Sequence, residues 1–262
     1  MHTNNSNLNL EAVALVGAPN SGKTTLYNWL TNSKFKTVNY PGATVEYAIG
    51  MTNSRLGEPF LSMDTPGTYS LFPKSADEEV TLKALFNEHN FGRIQKAVVV
   101  VDGTQLERHL LLAQQMKEAH FSFILVVTMS DLLKKNKVHM EVPLLEKAFG
   151  APVVLFDGIS GAGLEEVIEK VRRLPNRLPK KLTHWTEKEL HSKSTNIKEL
   201  TDSVFGNTSK VNAIYNSAER LDKVLLHPTL GVLIFFAIMS LLFSSIFWMA
   251  KPFMEIVDRG FS

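Results

Sequence analysis

Residues 17–24, GAPNSGKT, combine two glycines, a lysine and a threonine in the spacing of a phosphate-binding loop, G-x-x-x-x-G-K-[ST]. Gly17 and Gly22 allow a tight turn in which successive backbone N–H groups point at phosphate oxygens. Lys23 is expected to reach the β- and γ-phosphates, and the Thr24 hydroxyl is expected to ligate Mg²⁺. The spacing therefore predicts a nucleoside triphosphate site.

Two further motifs supply groups for the γ-phosphate and its metal ion. DTPG, residues 64–67, follows an apolar run, which places Asp64 to hold a Mg²⁺-bound water and the Gly67 N–H to sense the γ-phosphate. PGATVE, residues 41–46, lies where a mobile switch segment is expected. Thr44 is predicted to complete the Mg²⁺ shell; the alternative is an ordinary threonine of a β-strand.

A fourth motif, TMSD at residues 128–131, bears on the choice of base. Asp131 can accept hydrogen bonds from both the N1–H and the N2 amino group of guanine. Adenine lacks this pair of donors, so a buried carboxylate would be left unpaired against it. The motif therefore predicts guanine rather than adenine nucleotides.

The elements that must position these residues alternate between strands and helices. Short runs rich in Val, Ile and Leu read as buried strands at 12–17, 60–64, 96–102, 123–128 and 151–156. Helical patterns lie between them, near 23–32, 76–90, 105–119, 139–149 and 163–173. This order predicts an α/β fold with a mostly parallel sheet covered by helices on both faces. Residues 45–51 are expected to add an antiparallel edge strand paired with 58–64.

Composition narrows the class of protein. The 262 residues include 44% hydrophobic and 21% charged residues, which is ordinary for a globular protein. A formal net charge of +2 gives no argument for a nucleic-acid partner. The chain has no cysteine, which excludes disulfides and thiolate metal sites. The polar N-terminus, MHTNNSNLNLE, lacks the features of a signal peptide, so the nucleotide domain is expected in the cytoplasm.

The pattern changes after the predicted sheet. Prolines and basic residues at 173–180 indicate a boundary, and residues 183–226 read as two or three short helices of a small appended domain, or alternatively as a helical linker. Residues 229–250 are uncharged and follow His227-Pro228. Their length predicts a membrane-crossing helix rather than the core helix of a soluble domain.

Four blocks of sequence together resemble the bacterial ferrous-iron transporter family FeoB: GAPNSGKTTLYNWLT, NYPGATVE, DTPGTYSL and LDKVLLHPTLGVLIFFAIM. The resemblance extends roughly over residues 10–258. It implies a P-loop GTPase fold at 1–174, a small all-α domain at 175–226, and the first transmembrane helix with the start of the membrane domain at 227–262.

We predict a nucleotide site on these motifs. Catalytic roles are expected for Asn20, Lys23, Thr44 and Gly67, and Mg²⁺ ligation for Thr24, Thr44 and Asp64. Nucleotide contacts are expected from Gly17, Ala18, Pro19, Asn20, Ser21, Gly22, Lys23, Thr24, Thr25, Gly42, Ala43, Thr44, Asp64, Gly67, Thr128, Met129, Asp131, Asp157, Gly158 and Ile159.

The chain departs from the family at the base-binding motifs. Thr128 stands where the family pattern, which resembles N-M-x-D, has asparagine. One hydroxyl thus replaces a side-chain amide that can both donate and accept. Asp157 and Gly158 align with the Ser-Ala of similar GTPases, whose backbone N–H meets the guanine O6. We expect the guanine preference to survive in weakened form, and a looser loop at Gly158 with fast nucleotide release.

Catalysis is expected to be slow. Thr68 stands where many GTPases carry a glutamine that orients the attacking water. The two segments expected to switch, residues 33–44 and 64–75, contain no arginine that could serve as an arginine finger. The resemblance implies that Asn20 helps to hold an activating K⁺ in the place of an arginine finger. The alternative for Asn20 is a role in capping the loop only.

The resemblance implies GTP-binding, Mg²⁺-dependent and slow GTP hydrolysis that regulates or powers ferrous iron uptake across the bacterial inner membrane. Its partners would be guanine nucleotide, the rest of the membrane domain, further copies of the chain and small cytoplasmic accessory proteins. One alternative is a membrane-tethered regulatory GTPase without transport. Another, a ribosome-assembly GTPase, is disfavoured by the apolar run and the lack of a basic RNA-binding tail.

Overall fold

A parallel sheet forms the centre of the nucleotide domain. The structure is a computed structural model that describes residues 11–33, 36–39, 46–89, 92–182, 184–206, 211 and 227–261. The main-sheet strands described there are β1 (Ala12–Gly17), β2 (Lys36–Asn39), β3 (Glu46–Met51), β4 (Leu61–Asp64), β7 (Lys96–Asp102), β8 (Ser122–Thr128) and β9 (Val153–Leu155). Their order is β2-β3-β4-β1-β7-β8-β9, and from β4 to β9 every neighbouring pair is parallel.

Helices cover both faces of this sheet, as the sequence predicts. Those described are α1 (Lys23–Thr31), α2 (Ala76–Phe86), α3 (Leu106–Glu118), α4 (Ser130–Lys135), α5 (Val142–Phe149), α6 (Leu164–Arg173), α7 (Glu187–Phe205) and α8 (Leu230–Phe261). Val13 and Leu15 share one buried cluster with side chains of α1 and α6. Ala14 and Val16 share the other with side chains of α3 and α5. Strands buried on both faces explain the continuous Val, Ile and Leu runs.

The antiparallel end of the sheet differs from the prediction in one respect. β3 pairs antiparallel with β4, Ala48 opposite Asp64, as expected. It is an inner strand, however, because β2 pairs with its other side, Lys36 opposite Ile49. β2 has only four residues and mixed polarity, so no strand pattern is visible in this stretch of sequence.

Some predicted element limits are corrected. The helix predicted over 76–90 ends at Phe86, and the following residues form a small hairpin of β5 (Glu88–His89) and β6 (Gly92–Arg93). The helix predicted over 139–149 begins at Val142, with a proline in its first turn. The helix α4, which begins at Ser130 within TMSD, was not predicted, because its six residues are too few to show a helical period.

Helix α7 packs on the nucleotide domain. Its side chains Ile197, Thr201 and Val204 are buried, and its neighbours are α3 and α5. The chain divides into two compact units, Met1–Val211 and Asn212–Ser262. Within 183–226, where two or three short helices are predicted, residues 187–205 form one continuous helix. Most of the remaining range lies outside the described residues. The domain limits at 174 and 226 stay a prediction.

A capping box begins helix α7. The Thr186 hydroxyl accepts from the Glu189 N–H, and the Glu189 carboxylate accepts from the Thr186 N–H. Both bonds satisfy backbone donors that a helix start would otherwise leave unpaired. They fix where this helix begins.

The apolar segment near the end of the chain forms helix α8. His227 Nδ1 accepts from the backbone N–H groups of Thr229 and Leu230, each at 3.3 Å, and so caps the helix start. Leu233 and Phe236 are 65% and 63% exposed. In the part of the chain that the structure describes, no helix has the length and hydropathy of a membrane span. The predicted membrane crossing is therefore not confirmed.

Candidate nucleotide-binding site

The phosphate-binding loop, residues 17–24, joins the end of β1 to the start of α1. Gly22 has a φ of 83°, and an added Cβ at Gly17 would lie 2.4 Å from the Val100 carbonyl oxygen. Both positions therefore require glycine: Gly22 because its backbone is left-handed, and Gly17 because the Val100 backbone approaches it closely. Asn20 is also left-handed, with a φ of 63°, and its side chain is exposed.

The predicted phosphate and metal residues meet at this loop. β1 and β4 are parallel neighbours, with Leu15 opposite Asp64, so their carboxyl ends lie side by side. Lys23 Nζ contacts Asp64 Oδ1 at 2.5 Å and also donates to the Thr65 carbonyl oxygen. The Thr24 hydroxyl donates to Asp64 Oδ2 at 2.8 Å. Thr65 is an addition that the sequence did not predict, because its carbonyl carries no side-chain signal.

The pair Thr24 and Asp64 fits a magnesium ion. One hydroxyl and one carboxylate oxygen converge within hydrogen-bond distance beside the phosphate-binding loop. Mg²⁺ prefers such hard oxygen ligands and in nucleotide sites takes few of them from the protein. The third predicted ligand, Thr44, and its neighbours Gly42 and Ala43 lie outside the described residues.

The DTPG motif docks directly on the phosphate-binding loop. An added Cβ at Gly67 would lie 2.8 Å from the backbone nitrogen of Pro19. The Thr68 N–H donates to the Gly17 carbonyl oxygen at 2.9 Å, and the Thr65 hydroxyl to that of Leu15 at 2.7 Å. Gly67 therefore lies where its backbone can respond to a group bound in the loop.

Thr68 has no free hydroxyl to offer a water molecule. Its side chain is 1% exposed, and Oγ1 donates to the Ser70 carbonyl oxygen at 2.6 Å. The hydroxyl that stands in the water-orienting position of the sequence pattern is thus occupied within the protein.

Helix α3 holds the segment that follows. Gln115 accepts from the Leu71 N–H at 2.5 Å and donates to Ser70 Oγ at 2.9 Å. The Arg108 guanidinium lies 4.3 Å from the centre of the Tyr69 ring. These contacts join the DTPG region to the body of the domain.

TMSD lies at the carboxyl end of β8, beside the phosphate-binding loop. Thr128 is buried, and its hydroxyl lies 2.7 Å from the Ser21 carbonyl oxygen and 3.1 Å from that of Val101. It therefore contacts backbone, one of the two options that the sequence leaves open. Met129 adopts a left-handed φ of 57°, and Asp131 lies in the first turn of α4.

The second segment predicted to contact the base begins at Asp157; residues 157–161 are named the base loop here. Asp157 Oδ1 accepts from the backbone N–H groups of Ile159 at 2.8 Å and Ser160 at 3.3 Å, and Oδ2 accepts from the Ser160 hydroxyl at 2.5 Å. The bonds from the Ser160 hydroxyl and the Ile159 N–H hold the pKa of Asp157 below its usual value. These bonds close the loop and argue against the looser loop predicted from Gly158.

A cavity of about 430 Å³ connects part of this set. Among the described residues, its lining consists of predicted nucleotide contacts: Ala18, Pro19, Asn20, Gly22, Lys23, Thr24, Thr25, Gly67 and Met129. Ser21 and Thr128 are not in the lining; both are buried, and the Thr128 hydroxyl contacts the Ser21 backbone carbonyl. Trp29, which contacts the base loop, was missed. It lies four residues after Thr25 in α1, a spacing that places both on one helix face.

A family profile described as Ferrous iron transport protein B, FeoB_N, matches residues 11–171. Among curated relatives, the Fe(2+) transporter FeoB of Campylobacter jejuni is 30% identical over 95% of this chain, and that of Leptospira biflexa is 27% identical over 95%. The chain spans 40% and 45% of the length of these two proteins, respectively.

Solved structures agree with this assignment. The cytosolic domain of the T. maritima FeoB iron transporter in a GDP form is 33% identical, covers 72% of both chains and has a TM-score of 0.59. The cytosolic domain of L. pneumophila FeoB is 26% identical, covers 86% of this chain and 93% of that one, and has a TM-score of 0.58. Together with a family profile that matches more than half of its residues, they show that the chain belongs to the FeoB_N family of ferrous iron transport protein B.

Proposed function

We propose that this chain binds GTP and GDP and hydrolyses GTP slowly. The observation that carries the proposal is the convergence of Lys23, Thr24 and Asp64 at the phosphate-binding loop, next to the carboxyl end of the strand that leads into TMSD. Carboxyl ends of neighbouring parallel strands are where α/β sheets bind nucleotides. The GDP form of the T. maritima relative supports guanine as the base.

Each residue has a defined part in the proposed chemistry. Lys23 neutralises charge on the β- and γ-phosphates, and Thr24 and Asp64, with Thr44, hold Mg²⁺. When bound, the ion neutralises charge on the phosphate oxygens. Gly67 reports the γ-phosphate through its backbone N–H, and its contact with Pro19 leaves no room for a side chain.

Slow turnover is expected because the Thr68 side chain is not available to orient the attacking water. Thr68 is buried and bonded to Ser70, so it does not orient a water molecule. Asn20 is exposed at the rim of the loop, which supports a role in holding K⁺ where an arginine finger would put its charge. We therefore propose that K⁺ accelerates hydrolysis.

We further propose that nucleotide turnover regulates or powers ferrous iron uptake across a bacterial inner membrane, with this domain in the cytoplasm. Support comes from the relatives, each an Fe(2+) transporter FeoB of which this chain spans less than half. The rest of such a transporter would be the partner that moves the iron.

A contact beyond the DTPG motif offers a path for this coupling. The Phe72 ring stacks on His184 with 4.5 Å between centroids and meets Trp185 edge-on at 5.5 Å. Phe72 follows the DTPG motif, and the other two precede helix α7. A change at the γ-phosphate would therefore reach α7 through these three rings, by reordering of residues 64–75.

Competition among GTP, GDP and ATP for the full chain tests the nucleotide proposal. We expect the wild type to prefer guanine nucleotides, and we expect Asp131→Ala to reduce that preference by about 100-fold. Equal binding of ATP by the wild type would contradict it.

The transport proposal is tested by iron uptake in cells that carry the complete gene or its Lys23→Ala variant. Equal uptake would favour a regulatory GTPase without transport.

A further inference from the structure

Trp29, in the second turn of α1, contacts both ends of the base loop. Its indole N–H donates to the Gly158 carbonyl oxygen at 3.0 Å. At the other end, an added Cβ on Gly161 would lie 2.8 Å from the indole ring. Gly161 has a φ of 76°, so both its conformation and the ring favour glycine there. The aromatic ring and its single donor thus fit this loop specifically.

The base loop leaves one backbone donor available. The N–H of Asp157 donates to Ala162, that of Gly161 to the Asp157 carbonyl, and those of Ile159 and Ser160 to the Asp157 carboxylate. Within the described parts of the chain, the Gly158 N–H has no such partner. It is the group that this loop can present to a base.

Gly158 is also crowded. An added Cβ there would lie 3.1 Å from the Thr25 methyl group, so the position favours glycine. Glycine has the widest backbone freedom of any residue. The Gly158 N–H can therefore hold one direction toward a base only if other groups fix the backbone around it. The Asp157 carboxylate supplies the restraint through the next two N–H groups, and Trp29 supplies it through the Gly158 carbonyl.

We propose that Trp29 is a positioning residue for guanine recognition. It does not touch the base; it fixes the carbonyl of Gly158 and thereby the direction of the Gly158 N–H, which donates to the guanine O6. The inference rests on the proposed binding of GTP and GDP. Because α1 also carries Lys23 and Thr24 at its start, one helix places the phosphate contacts and restrains the base contact.

The test compares GDP with 6-thio-GDP, in which sulfur, a weak acceptor, replaces O6 while both donors to Asp131 remain. The full chain, its Trp29→Phe variant and a control Trp185→Phe variant are titrated with each nucleotide. Trp29→Phe keeps an aromatic ring beside Gly161 and removes only the donor. Trp185→Phe removes an equivalent indole bond, to Glu118 at 2.9 Å, far from the base loop in sequence.

We expect Trp29→Phe to weaken GDP binding about five-fold, the effect of one hydrogen bond, through faster dissociation. Binding of 6-thio-GDP should change less than about two-fold, and Trp185→Phe should leave both nucleotides unaffected. Equal weakening of both nucleotides by Trp29→Phe would overturn the proposal, because Trp29 would then support α1 rather than the O6 contact. Unchanged GDP binding would overturn it as well. Failure of the wild type to prefer GDP over ADP would overturn the nucleotide proposal itself, and this inference with it.

Discussion

The hydroxyl of Thr128, the last residue of β8, lies 2.7 Å from the carbonyl oxygen of Ser21 in the phosphate-binding loop. Ser21 is wholly buried. The bond therefore ties the end of β8 to the loop in a place that water does not reach. The residue that departs from the family pattern thus contacts the backbone of the phosphate-binding loop.

Removing this bond should weaken the binding of all nucleotides to the same extent. In Thr128→Val the carbonyl of Ser21 loses its donor, which costs about 1–3 kcal/mol. We expect GDP and ADP affinities to fall together by about ten-fold, with their ratio unchanged, in equilibrium titrations. Thr128→Ser keeps the hydroxyl and should bind like the wild type. A fall for GDP alone would mean that Thr128 contacts the base.

A second substitution should exchange one base for another. Asp131→Asn puts an amide N–H₂ in place of one carboxylate acceptor, which suits the C2 carbonyl of xanthine better than the amino group of guanine. We expect the preference for GDP over xanthosine diphosphate to reverse in this variant, by at least about ten-fold in competition titrations. An unchanged preference would show that Asp131 lies away from the base.

The potassium effect should depend on Asn20. Its φ of 63° is comfortable for glycine, so Asn20→Gly removes the amide without straining the loop. The rate of GTP hydrolysis in K⁺ relative to Na⁺ should exceed one in the wild type and fall to about one in this variant, with GDP affinity little changed. Persistent K⁺ stimulation in the variant would leave Asn20 as a loop residue only.

The buried imidazole of His109 should make stability pH-dependent. Burial, opposed by Asp102 and reinforced by Arg108, lowers the pKa of His109 from its ordinary 6.5. Between that lowered pKa and 6.5 the unfolded chain binds the proton and the folded chain does not, so the free energy of unfolding falls as pH drops below 6.5. The slope reaches at most about 1.4 kcal/mol per pH unit.

Denaturant melts from about pH 7.5 to about pH 5 would measure this effect. The Asp102 N–H donates to His109 Nδ1 at 2.9 Å, and a protonated ring could not accept it. His109→Asn retains an acceptor near that position without a titrating group, and its stability should be flatter over the same range. Parallel curves for the two proteins would assign the pH dependence to other groups.

The sequence predicted the central sheet because its strands are buried on both faces. Runs such as KAVVVVD are typical of such strands, and GAPNSGKT, DTPG and TMSD then fall at carboxyl ends of strands. The partners of polar side chains were less accessible. The sequence left backbone and base open as partners of the Thr128 hydroxyl, and the backbone contact became visible only once the fold placed the end of β8 beside the phosphate-binding loop.

Short elements and long-range contacts were missed for related reasons. β2 and α4 are too short for a period to emerge, and their positions depend on neighbours distant in sequence. The length of α7 was missed because the polar composition of residues 187–205 hides the stripe of buried side chains that packs near α3 and α5. Asp157 reads as a poor match to Ser-Ala, yet its carboxylate closes the base loop.

Because Trp29 lies on α1, the number of helical residues that precede it affects the base loop. An α-helix turns by about 100° per residue. A one-residue insertion between Thr25 and Trp29 would swing the indole away from Gly158, although GAPNSGKT, TMSD and the base loop would all remain unaltered. Two homologues with identical motifs could thus differ in nucleotide release, and a comparison of helix length, rather than of motif letters, would distinguish them.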